Sequence, residues 1–474
     1  MTETFALLPD AELQIGADGQ VTVHNQLRGS VLGKLTAGQL AVLDALASGV
    51  RTMDDLTALG TGLDGWAGGL RHTHQLLDGL RRHHWVQTTL WDGDRRIMTV
   101  RPHLAPLPKP SVPIVAELSP AADSLVLSRY VLLRRDGAVL VLESTITGTV
   151  VELYDDWLLT LLAAPLSPLR VGEITAAVAW AESALATLLE HGLLEPEGAE
   201  AEAETAAAGW TAHELWFHSR SSGEPTMPNR AGLGLKTRAV RDGEPADIGP
   251  AIPLAVPDLA RRRAQDPTLT DVLERRRSVR VHDDTAPLTA AQLGEFLFRT
   301  VRTRRTWTQN GVELADRPYP SSGALHELEH YLVITNVAGL PPGLYRYDGR
   351  DHALQPAAAN GPAVGRLADR AARAAVMTTR PQALLIMGAR LGRLSWKYPS
   401  MAYALALRDT GVVYATMYLV ATAMGLAPCA LGTGDPVTLA RATGLDPRTE
   451  AGVGRFLLGS LPRHGNETRA AEAR

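Results

Sequence analysis

Alternating apolar and polar residues predict two tight β-hairpins in the N-terminal part of the chain. Asp18-Gly19 interrupts the alternation between residues 13 and 23, and Asp136-Gly137 interrupts a similar one between residues 134 and 142. Asp-Gly is a preferred pair for the two-residue turns that join antiparallel strands. Two such signals suggest that one structural unit occurs twice.

Each predicted hairpin is followed by two amphipathic stretches with apolar residues at helical spacing. They cover residues 40–46 and 70–83 after the first hairpin, and 157–162 and 181–191 after the second. Strands and small helices in this order predict two winged-helix-like modules, at residues 1–105 and 106–195. Residues 196–210 are mostly Glu and Ala without a large aliphatic side chain, which is typical of a linker.

The C-terminal part, residues 211–474, is predicted to form one α+β domain, because helical and strand patterns alternate from residue 269 onward. Thr289 is a suitable N-cap for a helix that begins at Ala290. Short apolar runs predict strands at 330–335, 344–347 and 383–387, and longer runs predict helices at 400–410 and 412–424.

Composition and charge exclude several function classes. The chain has 474 residues, of which 45% are hydrophobic, and its formal net charge of -4 argues against a nucleic-acid partner. A single cysteine, Cys429, fits a reducing compartment, and the N-terminus lacks the pattern of a signal peptide. We therefore expect a cytoplasmic location.

One segment has the length of a membrane span. Residues 411–432 contain no charged side chain. Ala, Gly and Thr keep the hydrophobicity of this segment modest, and Pro428 interrupts it. We interpret it as a buried helix and expect no membrane association.

An arginine cluster is the first candidate for chemistry. Four arginines surround Ser278 between residues 275 and 280. Arginine offers forked N–H donors without losing its charge, and a phosphate group binds such donors together with a hydroxyl. On charge alone, a solvated basic turn is the simpler interpretation.

A serine-glycine loop is the second candidate. Pro320, Ser321, Ser322 and Gly323 combine two hydroxyls with a glycine, which lets the backbone approach a ligand closely. In isolation, the same residues are equally typical of an ordinary turn.

Lys397-Tyr398 is the third candidate. A lysine acts as a base when burial or a neighbouring cation lowers its pKa, and Arg390 and Arg393 could supply positive potential here. The alternative is a surface lysine whose alkyl chain covers the aromatic residues beside it.

Two further patterns are set aside. The glycines of residues 60–65 match a dinucleotide-binding spacing, but they follow a helical pattern rather than a strand, so we predict a loop. Four histidines, His72, His74, His83 and His84, have neither a nearby cysteine nor a fitting carboxylate set, so no metal site is expected.

Five segments in a fixed order resemble one known family. They are Arg276–Arg280, Arg317–Leu325, Gly339–Tyr345, Lys397-Tyr398 and Met424–Gly432. Together they resemble the SagB/McbC-type azoline dehydrogenases of the nitroreductase superfamily, over residues 210–465. No single segment is specific, but the ordered set is.

The resemblance implies an α+β nitroreductase-like sandwich that binds FMN at the interface of a homodimer, preceded by the winged-helix-like modules. It implies that Lys397 and Tyr398 are catalytic, with Lys397 as the base. The positions that match the family's FMN contacts are Arg276, Arg277, Ser278, Arg280, Pro320, Ser321, Ser322, Gly323, Leu431, Gly432 and, in a looser alignment, Arg463.

The chain departs from the family pattern at two positions of the serine-glycine loop. The family often has a glycine where Ser322 stands and a proline where Glu327 stands. The contacts of this loop are therefore less certain to follow the family than its fold is.

The implied activity is oxidation of thiazoline or oxazoline rings to azoles in a ribosomally made peptide of an antibiotic pathway, with oxygen as the final acceptor. The implied partners are an azoline-containing precursor peptide and a cyclodehydratase. The N-terminal modules resemble clamps that bind leader peptides, but their residues leave open whether they bind peptide or support the dimer. Two alternatives remain: an NAD(P)H-dependent nitro or quinone reductase, and a non-catalytic scaffold that presents a peptide to a cyclodehydratase.

Overall fold

The computed structural model describes residues 1–25, 29–102, 124–158, 169–170, 178, 180–197, 211–222, 249–358, 362–398, 401–434, 436–446 and 448–462. The chain divides into two compact units, residues 1–232 and 233–474, called here the first and second units.

Results

Sequence analysis

Alternating apolar and polar residues predict two tight β-hairpins in the N-terminal part of the chain. Asp18-Gly19 interrupts the alternation between residues 13 and 23, and Asp136-Gly137 interrupts a similar one between residues 134 and 142. Asp-Gly is a preferred pair for the two-residue turns that join antiparallel strands. Two such signals suggest that one structural unit occurs twice.

Each predicted hairpin is followed by two amphipathic stretches with apolar residues at helical spacing. They cover residues 40–46 and 70–83 after the first hairpin, and 157–162 and 181–191 after the second. Strands and small helices in this order predict two winged-helix-like modules, at residues 1–105 and 106–195. Residues 196–210 are mostly Glu and Ala without a large aliphatic side chain, which is typical of a linker.

The C-terminal part, residues 211–474, is predicted to form one α+β domain, because helical and strand patterns alternate from residue 269 onward. Thr289 is a suitable N-cap for a helix that begins at Ala290. Short apolar runs predict strands at 330–335, 344–347 and 383–387, and longer runs predict helices at 400–410 and 412–424.

Composition and charge argue against several function classes. The chain has 474 residues, of which 45% are hydrophobic, and its formal net charge of -4 argues against a nucleic-acid partner. A single cysteine, Cys429, fits a reducing compartment, and the N-terminus lacks the pattern of a signal peptide. We therefore expect a cytoplasmic location.

One segment has the length of a membrane span. Residues 411–432 contain no charged side chain. Ala, Gly and Thr keep the hydrophobicity of this segment modest, and Pro428 interrupts it. We interpret it as a buried helix and expect no membrane association.

An arginine cluster is the first candidate for chemistry. Four arginines surround Ser278 between residues 275 and 280. Arginine offers forked N–H donors without losing its charge, and a phosphate group binds such donors together with a hydroxyl. On charge alone, a solvated basic turn is the simpler interpretation.

A serine-glycine loop is the second candidate. Pro320, Ser321, Ser322 and Gly323 combine two hydroxyls with a glycine, which lets the backbone approach a ligand closely. In isolation, these residues are more typical of an ordinary turn.

Lys397-Tyr398 is the third candidate. A lysine acts as a base when burial or a neighbouring cation lowers its pKa, and Arg390 and Arg393 could supply positive potential here. The alternative is an ordinary lysine whose alkyl chain covers the aromatic residues beside it.

Two further patterns are set aside. The glycines of residues 60–65 match a dinucleotide-binding spacing, but they follow a helical pattern rather than a strand, so we predict a loop. Four histidines, His72, His74, His83 and His84, have neither a nearby cysteine nor a fitting carboxylate set, so no metal site is expected.

Five segments in a fixed order resemble one known family. They are Arg276–Arg280, Arg317–Leu325, Gly339–Tyr345, Lys397-Tyr398 and Met424–Gly432. Together they resemble the SagB/McbC-type azoline dehydrogenases of the nitroreductase superfamily, over residues 210–465. No single segment is specific, but the ordered set is.

The resemblance implies an α+β nitroreductase-like sandwich that binds FMN at the interface of a homodimer, preceded by the winged-helix-like modules. It implies that Lys397 and Tyr398 are catalytic, with Lys397 as the base. The positions that match the family's FMN contacts are Arg276, Arg277, Ser278, Arg280, Pro320, Ser321, Ser322, Gly323, Leu431, Gly432 and, in a looser alignment, Arg463.

The chain departs from the family pattern in and beside the serine-glycine loop. The family often has a glycine where Ser322 stands and a proline where Glu327 stands. These departures leave the implied fold intact, and they put the detailed contacts of the loop in doubt.

The implied activity is oxidation of thiazoline or oxazoline rings to azoles in a ribosomally made peptide natural product of antibiotic type, with oxygen as the final acceptor. The implied partners are an azoline-containing precursor peptide and a cyclodehydratase. The N-terminal modules resemble clamps that bind leader peptides, and the sequence leaves open whether they bind peptide or support the dimer. Two alternatives remain: an NAD(P)H-dependent nitro or quinone reductase, and a non-catalytic scaffold that presents a peptide to a cyclodehydratase.

Overall fold

The computed structural model describes residues 1–25, 29–102, 124–158, 169–170, 178, 180–197, 211–222, 249–358, 362–398, 401–434, 436–446 and 448–462. The chain divides into two compact units, residues 1–232 and 233–474, called here the first and second units. The module, linker and domain boundaries given above remain predictions.

The first unit is built on a mixed set of small sheets and helices. Its strands are β1 (Thr2–Leu7), β2 (Glu12–Ile15), β3 (Val21–His24), β4 (Gly29–Gly33), β5 (Arg51–Thr52), β6 (Val86–Asp92), β7 (Arg95–Pro102), β8 (Ser124–Leu127), β9 (Val131–Asp136), β10 (Val139–Ser144), β11 (Thr149–Leu153), β12 (Leu169–Arg170) and β13 (Leu194–Pro196). Its helices are α1 (Ala37–Ser48), α2 (Met53–Asp64), α3 (Trp66–Arg82), α4 (Ala181–Glu190) and α5 (Ala212–Ser222).

Both predicted hairpins are confirmed, but they lie in different sheets. Strands β2 and β3 pair across Gly19, and β9 and β10 pair across Gly137. Both glycines have positive φ, which these tight turns require. The first hairpin belongs to the sheet β2-β3-β4, whereas the second ends the seven-stranded sheet β5-β1-β6-β7-β11-β10-β9. Strands of both predicted modules therefore share one sheet.

The loop predicted at residues 60–65 is wrong, because α2 continues through Asp64. A Cβ atom at Gly60 would lie 2.1 Å from the Thr73 hydroxyl oxygen, and one at Gly69 would lie 2.4 Å from the Gly60 carbonyl oxygen. Two of these glycines thus let α2 and α3 approach each other closely. Of the glycines that suggested a dinucleotide loop, Gly60 packs against α3, whereas Gly62 and Gly65 meet no atom within 4 Å.

The second unit contains a seven-stranded antiparallel sheet in the order β14-β19-β18-β17-β20-β22-β21. Its strands are β14 (Ile252–Pro253), β15 (Arg305–Gln309), β16 (Val312–Asp316), β17 (Leu328–Ile334), β18 (Gly343–Asp348), β19 (Ala353–Ala358), β20 (Ala383–Ala389), β21 (Leu426–Leu431) and β22 (Ala451–Ser460), of which β15 and β16 form a separate hairpin. Its helices are α6 (Leu259–Gln265), α7 (Leu269–Arg275), α8 (Ala290–Thr300), α9 (Pro362–Ala374), α10 (Gly392–Ser395), α11 (Ala402–Ala423) and α12 (Pro436–Thr443).

Helices cover both faces of this sheet. Leu332 of β17 and Met417 of α11 belong to one hydrophobic core, whereas Val333 and Leu367 of α9 belong to another. Neighbouring residues of β17 enter different cores because side chains alternate along a strand. Each fully buried Leu or Met contributes about 1.5–3 kcal/mol. The result is the α+β sandwich that the sequence predicts.

Local signals in the second unit are partly confirmed. The Thr289 hydroxyl accepts from the Gln292 N–H, so Thr289 caps α8 as predicted. The two helices predicted at 400–410 and 412–424 are one helix, α11. A Cβ atom at Gly411 would meet no heavy atom within 4 Å. The low helix propensity of this glycine is outweighed by the packing of the residues around it.

The uncharged segment 411–432 is also not a single buried helix. It contains the C-terminal half of α11, a turn at Gly425 and strand β21. Within the part of the chain that the structure describes, no helix has both the length and the apolar character to cross a bilayer.

Candidate functional site

The arginine segment runs beside the last strand of the second unit's sheet. Helix α7 ends at Arg275, and the Val279 N–H then donates to the Pro428 carbonyl oxygen at 2.8 Å. Strand β21 is the terminal strand in the sheet order. Residues 276–280 therefore lie along its outer edge, with Arg276, Arg277 and Arg280 exposed.

Tyr418 of α11 fixes the hydroxyl of this segment. The Ser278 and Tyr418 hydroxyl oxygens are 2.7 Å apart, and the Ala430 N–H donates to the same tyrosine oxygen at 2.8 Å. The Arg276 guanidinium lies 5.4 Å from the centre of the Tyr418 ring. This geometry gives an anchored hydroxyl surrounded by guanidinium groups, which suits a phosphate ester.

The neighbouring thiol of Cys429 belongs to the same group of residues. Burial raises the pKa of the Cys429 thiol, and Arg280 and Ser278, which lie close to it, act in the opposite direction. A buried thiol with a raised pKa is a poor nucleophile. Cys429 is therefore part of the packing beneath the arginine segment.

The serine-glycine loop is held by two buried carboxyl groups. The Ser322 N–H donates to Asp409 Oδ2 at 2.9 Å, and the Ser322 hydroxyl donates to Asp409 Oδ1 at 3.2 Å. The Ser321 hydroxyl donates to Glu327 Oε2 at 3.2 Å and accepts from the His326 N–H at 3.0 Å. These bonds fix the loop to both α11 and the start of β17.

Gly323 brings the loop against Lys397 and Tyr398. A Cβ atom at Gly323 would lie 3.0 Å from Lys397 Nζ and 3.1 Å from the Tyr398 hydroxyl oxygen. The φ angle of Gly323 is 63°, a conformation that favours glycine. Two motifs more than seventy residues apart in the sequence therefore meet at one point.

Lys397 and Tyr398 are positioned by the short helix α10. Their N–H groups both donate to the carbonyl oxygen of Leu394, at 3.0 and 2.8 Å, and the Leu394 side chain is buried. Lys397 Nζ lies 5.2 Å from the centre of the Tyr398 ring. The Lys397 side chain is exposed, so burial, one of the two conditions given above for a basic lysine, is not met here.

The ionisable groups around the loop have perturbed pKa values. Burial first, and then the nearby Asp409 carboxylate, raise the pKa of Glu327 to about 7. Burial, followed by the positive charges of Arg317 and Arg393, lowers the pKa of His326 to about 3. At neutral pH, His326 is therefore uncharged, and burial favours the protonated form of Glu327 more than water would.

The remaining predicted residues have separate surroundings. The carbonyl oxygen of Leu431, at the end of β21, accepts from the Tyr414 hydroxyl at 3.3 Å. A Cβ atom at Gly432 would meet no heavy atom within 4 Å, so the backbone there is open. Pro320 is exposed at the start of the serine-glycine loop. Arg463 lies outside the described residues.

The structure thus brings the predicted residues together in two groups. One contains residues 276–280 with the end of β21, and the other contains residues 321–323 with residues 397–398. Their contacts on α11, Tyr418 and Asp409, are nine residues apart, or roughly 14 Å along the helix. Nine residues also turn the helix by about 180°, so the two groups contact opposite sides of it.

Sequence reasoning did not assign a role to Tyr418, Asp409 or Glu327. Tyr418 lies inside an uncharged stretch and contacts Ser278 across 140 positions. The departure from the family pattern at Glu327 was the only local signal among these three. A buried acid in place of a proline requires a polar partner, and that partner is the loop itself.

Comparison with known families agrees with this fold. Residues 273–459 match the model of the nitroreductase family, and residues 125–226 match that of the cyanobactin oxidase ThcOx. The nitroreductase match lies within the second unit, and it supports an oxidoreductase of nitroreductase-like fold.

Individual relatives are more distant. Putative nitroreductase MJ1384 of Methanocaldococcus jannaschii is 28% identical over 187 residues, which cover 39% of this chain and 86% of that protein. A crystal structure described as a putative nitroreductase from Ralstonia eutropha is 24% identical, covering 45% of this chain and 90% of that one, with a TM-score of 0.36. The Escherichia coli microcin synthetase McbBCD complex with truncated pro-MccB17 bound is 24% identical, covering 38% of this chain and 67% of that one, with a TM-score of 0.33.

Proposed function

We propose that this protein is an FMN-dependent dehydrogenase of the SagB/McbC type, which oxidises azoline rings to azoles in a ribosomally made peptide. The observation that carries the proposal is the contact of Gly323 with Lys397 Nζ and the Tyr398 hydroxyl. It joins a loop that can approach a flavin to the residue pair expected of azoline dehydrogenases. The match to the cyanobactin oxidase model supports a peptide substrate.

FMN is the cofactor that the nitroreductase-family match indicates. The residues present fit its phosphate, because Arg276, Arg277 and Arg280 are exposed around the Ser278 hydroxyl that Tyr418 anchors. They also fit a planar ring, because the backbone at Gly432 and Gly323 is open to close approach. We assign Pro320, Ser321, Ser322, Leu431 and Arg463 to the same cofactor site.

In this proposal, Lys397 acts on the substrate ring. The Cα–H of an azoline is acidified by the adjacent carbonyl and imine, and Lys397 Nζ removes this proton or stabilises the charge that develops. The Tyr398 hydroxyl, beside the same amine, relays the proton or orients the amine. The flavin, when bound, supplies the two-electron acceptor for the dehydrogenation.

The reaction balances when oxygen is the final acceptor. The ring loses two hydrogens and becomes aromatic, and oxygen takes up two electrons and two protons to give hydrogen peroxide. Holding the ring close to both Lys397 and the acceptor is the contribution expected of the loop at Ser321–Gly323.

The assembly is part of the same proposal. The two residue groups contact opposite sides of α11, so a second copy of the chain could complete each site, as a homodimer requires. The first unit would then bind the leader part of the azoline-containing precursor peptide or support the dimer, and a cyclodehydratase would supply the azoline. The match of residues 125–226 to the cyanobactin oxidase model favours a role of this unit in peptide maturation.

The test begins with the visible spectrum of the purified protein and the mass of the released chromophore. A flavin spectrum and the mass of FMN would support the cofactor assignment. An azoline peptide should then lose two hydrogens per ring under air. A colourless protein that cannot be reconstituted with FMN would leave the peptide-presenting scaffold as the better function.

The similarity to MJ1384 favours one rival, an NAD(P)H-dependent nitro or quinone reductase. That enzyme would bleach its flavin rapidly with NAD(P)H alone and would leave azoline peptides unchanged. Rapid bleaching together with no azole would replace the dehydrogenase proposal by the reductase.

A further inference from the structure

Glu327 and Asp409 form a buried acidic pair beneath the serine-glycine loop. The Glu327 side chain is fully buried, and Asp409 is 7% exposed. Together they receive three hydrogen bonds from Ser321 and Ser322.

Results

Sequence analysis

Alternating apolar and polar residues predict two tight β-hairpins in the N-terminal part of the chain. Asp18-Gly19 interrupts the alternation between residues 13 and 23, and Asp136-Gly137 interrupts a similar one between residues 134 and 142. Asp-Gly is a preferred pair for the two-residue turns that join antiparallel strands. Two such signals suggest that one structural unit occurs twice.

Each predicted hairpin is followed by two amphipathic stretches with apolar residues at helical spacing. They cover residues 40–46 and 70–83 after the first hairpin, and 157–162 and 181–191 after the second. Strands and small helices in this order predict two winged-helix-like modules, at residues 1–105 and 106–195. Residues 196–210 are mostly Glu and Ala without a large aliphatic side chain, which is typical of a linker.

The C-terminal part, residues 211–474, is predicted to form one α+β domain, because helical and strand patterns alternate from residue 269 onward. Thr289 is a suitable N-cap for a helix that begins at Ala290. Short apolar runs predict strands at 330–335, 344–347 and 383–387, and longer runs predict helices at 400–410 and 412–424.

Composition and charge argue against several function classes. The chain has 474 residues, of which 45% are hydrophobic, and its formal net charge of -4 argues against a nucleic-acid partner. A single cysteine, Cys429, fits a reducing compartment, and the N-terminus lacks the pattern of a signal peptide. We therefore expect a cytoplasmic location.

One segment has the length of a membrane span. Residues 411–432 contain no charged side chain. Ala, Gly and Thr keep the hydrophobicity of this segment modest, and Pro428 interrupts it. We interpret it as a buried helix and expect no membrane association.

An arginine cluster is the first candidate for chemistry. Four arginines surround Ser278 between residues 275 and 280. Arginine offers forked N–H donors without losing its charge, and a phosphate group binds such donors together with a hydroxyl. On charge alone, a solvated basic turn is the simpler interpretation.

A serine-glycine loop is the second candidate. Pro320, Ser321, Ser322 and Gly323 combine two hydroxyls with a glycine, which lets the backbone approach a ligand closely. In isolation, these residues are more typical of an ordinary turn.

Lys397-Tyr398 is the third candidate. A lysine acts as a base when burial or a neighbouring cation lowers its pKa, and Arg390 and Arg393 could supply positive potential here. The alternative is an ordinary lysine whose alkyl chain covers the aromatic residues beside it.

Two further patterns are set aside. The glycines of residues 60–65 match a dinucleotide-binding spacing, but they follow a helical pattern rather than a strand, so we predict a loop. Four histidines, His72, His74, His83 and His84, have neither a nearby cysteine nor a fitting carboxylate set, so no metal site is expected.

Five segments in a fixed order resemble one known family. They are Arg276–Arg280, Arg317–Leu325, Gly339–Tyr345, Lys397-Tyr398 and Met424–Gly432. Together they resemble the SagB/McbC-type azoline dehydrogenases of the nitroreductase superfamily, over residues 210–465. No single segment is specific, but the ordered set is.

The resemblance implies an α+β nitroreductase-like sandwich that binds FMN at the interface of a homodimer, preceded by the winged-helix-like modules. It implies that Lys397 and Tyr398 are catalytic, with Lys397 as the base. The positions that match the family's FMN contacts are Arg276, Arg277, Ser278, Arg280, Pro320, Ser321, Ser322, Gly323, Leu431, Gly432 and, in a looser alignment, Arg463.

The chain departs from the family pattern in and beside the serine-glycine loop. The family often has a glycine where Ser322 stands and a proline where Glu327 stands. These departures leave the implied fold intact, and they put the detailed contacts of the loop in doubt.

The implied activity is oxidation of thiazoline or oxazoline rings to azoles in a ribosomally made peptide natural product of antibiotic type, with oxygen as the final acceptor. The implied partners are an azoline-containing precursor peptide and a cyclodehydratase. The N-terminal modules resemble clamps that bind leader peptides, and the sequence leaves open whether they bind peptide or support the dimer. Two alternatives remain: an NAD(P)H-dependent nitro or quinone reductase, and a non-catalytic scaffold that presents a peptide to a cyclodehydratase.

Overall fold

The computed structural model describes residues 1–25, 29–102, 124–158, 169–170, 178, 180–197, 211–222, 249–358, 362–398, 401–434, 436–446 and 448–462. The chain divides into two compact units, residues 1–232 and 233–474, called here the first and second units. The module, linker and domain boundaries given above remain predictions.

Among the described residues, the first unit contains three sheets and several helices. Its strands are β1 (Thr2–Leu7), β2 (Glu12–Ile15), β3 (Val21–His24), β4 (Gly29–Gly33), β5 (Arg51–Thr52), β6 (Val86–Asp92), β7 (Arg95–Pro102), β8 (Ser124–Leu127), β9 (Val131–Asp136), β10 (Val139–Ser144), β11 (Thr149–Leu153), β12 (Leu169–Arg170) and β13 (Leu194–Pro196). Its helices, within the described residues, are α1 (Ala37–Ser48), α2 (Met53–Asp64), α3 (Trp66–Arg82), α4 (Ala181–Glu190) and α5 (Ala212–Ser222).

Both predicted hairpins are confirmed, but they lie in different sheets. Strands β2 and β3 pair across Gly19, and β9 and β10 pair across Gly137. Both glycines have positive φ, which is typical of such tight turns. The first hairpin belongs to the sheet β2-β3-β4, whereas the second ends the seven-stranded sheet β5-β1-β6-β7-β11-β10-β9. Strands of both predicted modules therefore share one sheet.

The loop predicted at residues 60–65 is wrong, because α2 continues through Asp64. A Cβ atom at Gly60 would lie 2.1 Å from the Thr73 hydroxyl oxygen, and one at Gly69 would lie 2.4 Å from the Gly60 carbonyl oxygen. Glycines at these two positions thus let α2 and α3 approach each other closely. Of the glycines that suggested a dinucleotide loop, Gly60 packs against α3, whereas Gly62 and Gly65 meet no atom within 4 Å.

The second unit contains a seven-stranded antiparallel sheet in the order β14-β19-β18-β17-β20-β22-β21. Its strands are β14 (Ile252–Pro253), β15 (Arg305–Gln309), β16 (Val312–Asp316), β17 (Leu328–Ile334), β18 (Gly343–Asp348), β19 (Ala353–Ala358), β20 (Ala383–Ala389), β21 (Leu426–Leu431) and β22 (Ala451–Ser460), of which β15 and β16 form a separate hairpin. Its helices are α6 (Leu259–Gln265), α7 (Leu269–Arg275), α8 (Ala290–Thr300), α9 (Pro362–Ala374), α10 (Gly392–Ser395), α11 (Ala402–Ala423) and α12 (Pro436–Thr443).

Helices cover both faces of this sheet. Leu332 of β17 and Met417 of α11 belong to one hydrophobic core, whereas Val333 of β17 and Leu367 of α9 belong to another. Neighbouring residues of β17 enter different cores because side chains alternate along a strand. Each fully buried Leu or Met contributes about 1.5–3 kcal/mol. The result is the α+β sandwich that the sequence predicts.

Local signals in the second unit are partly confirmed. The Thr289 hydroxyl accepts from the Gln292 N–H, so Thr289 caps α8 as predicted. The two helices predicted at 400–410 and 412–424 are one helix, α11. A Cβ atom at Gly411 would meet no heavy atom within 4 Å. The low helix propensity of this glycine is outweighed by the packing of the residues around it.

The uncharged segment 411–432 is also not a single buried helix. It contains the C-terminal half of α11, a turn at Gly425 and strand β21. Within the part of the chain that the structure describes, no helix has both the length and the apolar character to cross a bilayer.

Candidate functional site

The arginine segment runs beside the last strand of the second unit's sheet. Helix α7 ends at Arg275, and the Val279 N–H then donates to the Pro428 carbonyl oxygen at 2.8 Å. Strand β21 is the terminal strand in the sheet order. Residues 276–280 therefore lie along its outer edge, and the three arginines among them are exposed.

Tyr418 of α11 fixes the hydroxyl of this segment. The Ser278 and Tyr418 hydroxyl oxygens are 2.7 Å apart, and the Ala430 N–H donates to the same tyrosine oxygen at 2.8 Å. The Arg276 guanidinium lies 5.4 Å from the centre of the Tyr418 ring. This geometry gives an anchored hydroxyl among guanidinium groups, which suits a phosphate ester.

The neighbouring thiol of Cys429 belongs to the same group of residues. Burial raises the pKa of the Cys429 thiol, and Arg280 and Ser278, which lie close to it, act in the opposite direction. A buried thiol with a raised pKa is a poor nucleophile. Cys429 is therefore part of the packing beneath the arginine segment.

The serine-glycine loop is held by two buried carboxyl groups. The Ser322 N–H donates to Asp409 Oδ2 at 2.9 Å, and the Ser322 hydroxyl donates to Asp409 Oδ1 at 3.2 Å. The Ser321 hydroxyl donates to Glu327 Oε2 at 3.2 Å and accepts from the His326 N–H at 3.0 Å. These bonds fix the loop to α11 and to the residues that precede β17.

Gly323 brings the loop against Lys397 and Tyr398. A Cβ atom at Gly323 would lie 3.0 Å from Lys397 Nζ and 3.1 Å from the Tyr398 hydroxyl oxygen. The φ angle of Gly323 is 63°, a conformation that favours glycine. Two motifs that are far apart in the sequence therefore meet at one point.

Lys397 and Tyr398 follow the short helix α10, which positions them. Their N–H groups both donate to the carbonyl oxygen of Leu394, at 3.0 and 2.8 Å, and the Leu394 side chain is buried. Lys397 Nζ lies 5.2 Å from the centre of the Tyr398 ring. The Lys397 side chain is exposed, so burial, one of the two conditions given above for a basic lysine, is not met here.

The ionisable groups around the loop have perturbed pKa values. Burial first, and then the nearby Asp409 carboxylate, raise the pKa of Glu327 to about 7. Burial, followed by the positive charges of Arg317 and Arg393, lowers the pKa of His326 to about 3. At neutral pH, His326 is therefore uncharged, and burial favours the protonated form of Glu327 more than water would.

The remaining predicted residues have separate surroundings. The carbonyl oxygen of Leu431, at the end of β21, accepts from the Tyr414 hydroxyl at 3.3 Å. A Cβ atom at Gly432 would meet no heavy atom within 4 Å, so the backbone there is open. Pro320 is exposed at the start of the serine-glycine loop. Arg463 lies outside the described residues.

The structure thus brings the predicted residues together in two groups. One contains residues 276–280 with the end of β21, and the other contains residues 321–323 with residues 397–398. Their contacts on α11, Tyr418 and Asp409, are nine residues apart, or roughly 14 Å along the helix. Nine residues also turn a helix by about 180°, so the two groups contact opposite sides of α11.

Sequence reasoning did not assign a role to Tyr418, Asp409 or Glu327. Tyr418 lies inside an uncharged stretch and contacts Ser278 across 140 positions. The departure from the family pattern at Glu327 was a local signal. An acid in a buried position requires polar partners, and here the loop itself supplies one.

Comparison with known families agrees with this fold. Residues 273–459 match the model of the nitroreductase family, and residues 125–226 match that of the cyanobactin oxidase ThcOx. The nitroreductase match lies within the second unit, and it supports an oxidoreductase of nitroreductase-like fold.

Individual relatives are more distant. Putative nitroreductase MJ1384 of Methanocaldococcus jannaschii is 28% identical over 187 residues, which cover 39% of this chain and 86% of that protein. A crystal structure described as a putative nitroreductase from Ralstonia eutropha is 24% identical, covering 45% of this chain and 90% of that one, with a TM-score of 0.36. The E. coli microcin synthetase McbBCD complex with truncated pro-MccB17 bound is 24% identical, covering 38% of this chain and 67% of that one, with a TM-score of 0.33.

Proposed function

We propose that this protein is an FMN-dependent dehydrogenase of the SagB/McbC type, which oxidises azoline rings to azoles in a ribosomally made peptide. The observation that carries the proposal is the close approach of Gly323 to Lys397 Nζ and the Tyr398 hydroxyl. This contact joins two predicted elements of the site. One is the serine-glycine loop, which the family resemblance places beside the flavin, and the other is the residue pair that the resemblance makes catalytic. The match to the cyanobactin oxidase model supports a peptide substrate.

FMN is the cofactor that the nitroreductase-family match indicates. The donor set fits its phosphate, because Arg276, Arg277 and Arg280 are exposed around the anchored Ser278 hydroxyl. The open backbone at Gly432 fits the close approach of a planar ring. We assign the remaining predicted contacts to the same cofactor site: Pro320, Ser321, Ser322, Gly323, Leu431 and Arg463.

In this proposal, Lys397 acts on the substrate ring. The Cα–H of an azoline is acidified by the adjacent carbonyl and imine, and Lys397 Nζ removes this proton or stabilises the charge that develops. The Tyr398 hydroxyl, which lies beside the same loop, relays the proton or orients the amine. The flavin, when bound, supplies the two-electron acceptor for the dehydrogenation.

The reaction balances when oxygen is the final acceptor. The ring loses two hydrogens and becomes aromatic, and oxygen takes up two electrons and two protons to give hydrogen peroxide. The loop at Ser321–Gly323 would hold the ring close to both Lys397 and the acceptor, which is how positioning lowers the barrier.

The assembly is part of the same proposal. The two residue groups contact opposite sides of α11, which supports a homodimer in which a second copy completes each site. The first unit would bind the leader part of the azoline-containing precursor peptide or support the dimer. A cyclodehydratase would supply the azoline. The match of residues 125–226 to the cyanobactin oxidase model supports a role of this unit in peptide maturation.

The test begins with the visible spectrum of the purified protein and the mass of the released chromophore. We expect a flavin spectrum and the mass of FMN. An azoline peptide should then lose two hydrogens per ring under air. A colourless protein that cannot be reconstituted with FMN would leave the peptide-presenting scaffold as the better function.

The similarity to MJ1384 favours one rival, an NAD(P)H-dependent nitro or quinone reductase. That enzyme would bleach its flavin rapidly with NAD(P)H alone and would leave azoline peptides unchanged. Rapid bleaching together with no azole would replace the dehydrogenase proposal by the reductase.

A further inference from the structure

Glu327 and Asp409 form a buried acidic pair beneath the serine-glycine loop. The Glu327 side chain is fully buried, and Asp409 is 7% exposed. Together they accept three hydrogen bonds from Ser321 and Ser322. The position of the loop therefore depends on the state of this pair.

One oxygen of the pair lacks a donor. Among the described residues, no hydrogen-bond donor reaches Glu327 Oε1, although this oxygen is buried. The group beside Glu327 is the Asp409 carboxylate, which is an acceptor as well. Two adjacent carboxylates cannot both stay ionised in a buried site at low cost, so a proton between them would supply the missing donor.

Other charges face Glu327 from the segment before the loop. Arg317 and the Tyr319 hydroxyl both interact with the charge of Glu327, and the Arg317 guanidinium donates to Tyr319 at 3.1 Å. The Arg390 N–H donates to the backbone carbonyl oxygen of Glu327 at 3.0 Å. The positive charge of Arg317 favours ionised Glu327, whereas burial and Asp409 oppose it. Burial and the neighbouring Asp409 outweigh the hydrogen bond from Ser321, so the pKa of Glu327 is raised above its usual value.

We propose that Glu327 and Asp409 share one proton, and that this proton holds the serine-glycine loop against Lys397 and Tyr398. Glu327 is then a positioning residue for the dehydrogenation and does not touch the substrate. The predicted effect on activity rests on the proposed function. The shared proton can be measured in the protein whether or not it oxidises azolines.

The consequence is a loop whose position depends on pH. Loss of the shared proton places two negative charges beneath Ser321 and Ser322, and their repulsion shifts the loop and moves Gly323 away from Lys397 Nζ. Activity should therefore fall by about tenfold per pH unit above the pKa of Glu327, as expected for one essential proton. Glu327→Gln keeps a neutral N–H donor at this position and should remove that dependence.

The experiment is infrared difference spectroscopy of the purified full chain, titrated between about pH 5.5 and about pH 8.5 across the expected midpoint. We expect the C=O stretch of a protonated carboxyl group to disappear with a midpoint near neutral pH. Glu327→Gln should lose this band, and Asp409→Asn should lose it or shift its midpoint, which covers the case that one variant does not fold. Glu450→Gln, at another buried acid whose pKa is raised by burial, is the matched control and should keep the band.

The second measurement is the pH profile of azoline oxidation. Glu327→Gln should match the unmodified protein within about twofold at low pH and exceed it by about tenfold one pH unit above the midpoint, with KM for the peptide unchanged. Absence of the band in the unmodified protein, or its persistence in Glu327→Gln, would overturn the shared proton. If the band behaves as expected and no azole forms, the shared proton stands and the proposed function fails.

Discussion

The two units of the chain bury different kinds of polar residue. Among the described residues, the first unit fully buries mainly Thr and Ser, with Glu143 and Asp155 as its buried charged residues. The second unit buries ten acidic, basic or histidine side chains: His282, Glu295, His326, Glu327, His330, His352, Arg390, Asp409, Glu450 and Arg455. The overall composition describes the whole chain at once, so it does not reveal this difference between the two units.

The buried charges of the first unit are paired in a simple way. Arg134 lies 3.5 Å from Glu143, and Arg95 lies 3.0 Å from Asp155. In the second unit, the charges form networks around the loop and β17, with strongly shifted pKa values at Glu327 and His326. Strongly shifted pKa values cluster at functional sites, and structural ion-pair networks produce them as well. The contrast agrees with the proposal that the chemistry takes place in the second unit.

The largest expected effect is that of Lys397→Ala. Removal of a general base lowers turnover by about 100-fold or more, while the arginine segment and the bound flavin remain. The measurement is azole formation together with the flavin spectrum of the purified variant. Lys34→Ala, at an exposed lysine of the first unit, is the control and should leave both unchanged. A Lys397→Ala protein that is yellow and still makes azole would show that another group is the base.

Acidification should destabilise the second unit before the first. Burial lowers the pKa of His282 to about 4 and that of His326 to about 3, and it lowers the pKa of His330 well below its usual range. The unfolded chain binds these protons more readily than the folded chain does, so the free energy of unfolding decreases as pH falls below about 6.5. For His282 alone, the loss reaches about 3 kcal/mol once the pH is below the pKa of the folded state. Among the described residues, the fully buried histidines all lie in the second unit.

Amide hydrogen exchange, measured separately for each unit at neutral and mildly acidic pH, would check which unit opens first as the pH falls. His282→Asn offers a sharper test, because an amide oxygen can accept the Gln382 N–H that His282 Nδ1 now accepts at 3.3 Å. This variant should lose part of the acid sensitivity. Earlier opening of the first unit would contradict the comparison.

A smaller effect is expected from Gly323→Ala. Gly323 and Gly311 both have positive φ, but only the Cβ at 323 would meet neighbouring atoms, Lys397 Nζ and the Tyr398 hydroxyl. Both alanine variants should lose about 1 kcal/mol of stability through backbone strain. Gly323→Ala should also lose about tenfold in turnover, because the Lys397 amine is displaced. Equal activity of the two variants would show that the approach at Gly323 is not functional.

The smallest effects come from the helix caps, one in each unit. Thr36 caps α1 and Thr289 caps α8, each in a reciprocal arrangement with a glutamine three residues later. Either alanine substitution should cost about 1 kcal/mol, measured by thermal unfolding. Thr36→Ala should cost more, because the Thr36 hydroxyl also donates to Asp64 and is the main cause of that carboxyl's lowered pKa. A larger loss for Thr289→Ala would contradict this ranking.

Local patterns allowed prediction of the hairpins at Gly19 and Gly137, the cap at Thr289 and the α+β character of the second unit. They did not allow correct prediction at Gly60 or Gly411, because tertiary packing decides whether a glycine interrupts a helix. The ordered family motifs indicated the loop and the lysine.

The supporting residues were harder to predict. Tyr418 and Asp409 act on partners 140 and 87 positions away, so neither leaves a local signal. The burial that shifts the pKa of Glu327 arises only after the sheet and α11 have packed together. The predicted ligand contacts come from sequence motifs and stay predictions, whereas the residues that hold them depend on the folded structure.

The hydrogen bond from Val279 to Pro428 has a consequence for the apoprotein. Strand β21 is the last strand of its sheet, and an uncovered edge of this kind can pair with other chains and aggregate. The segment that covers it carries three exposed arginines, Arg276, Arg277 and Arg280. If the proposed phosphate contact forms there, binding of the anion would stabilise the covered edge against opening.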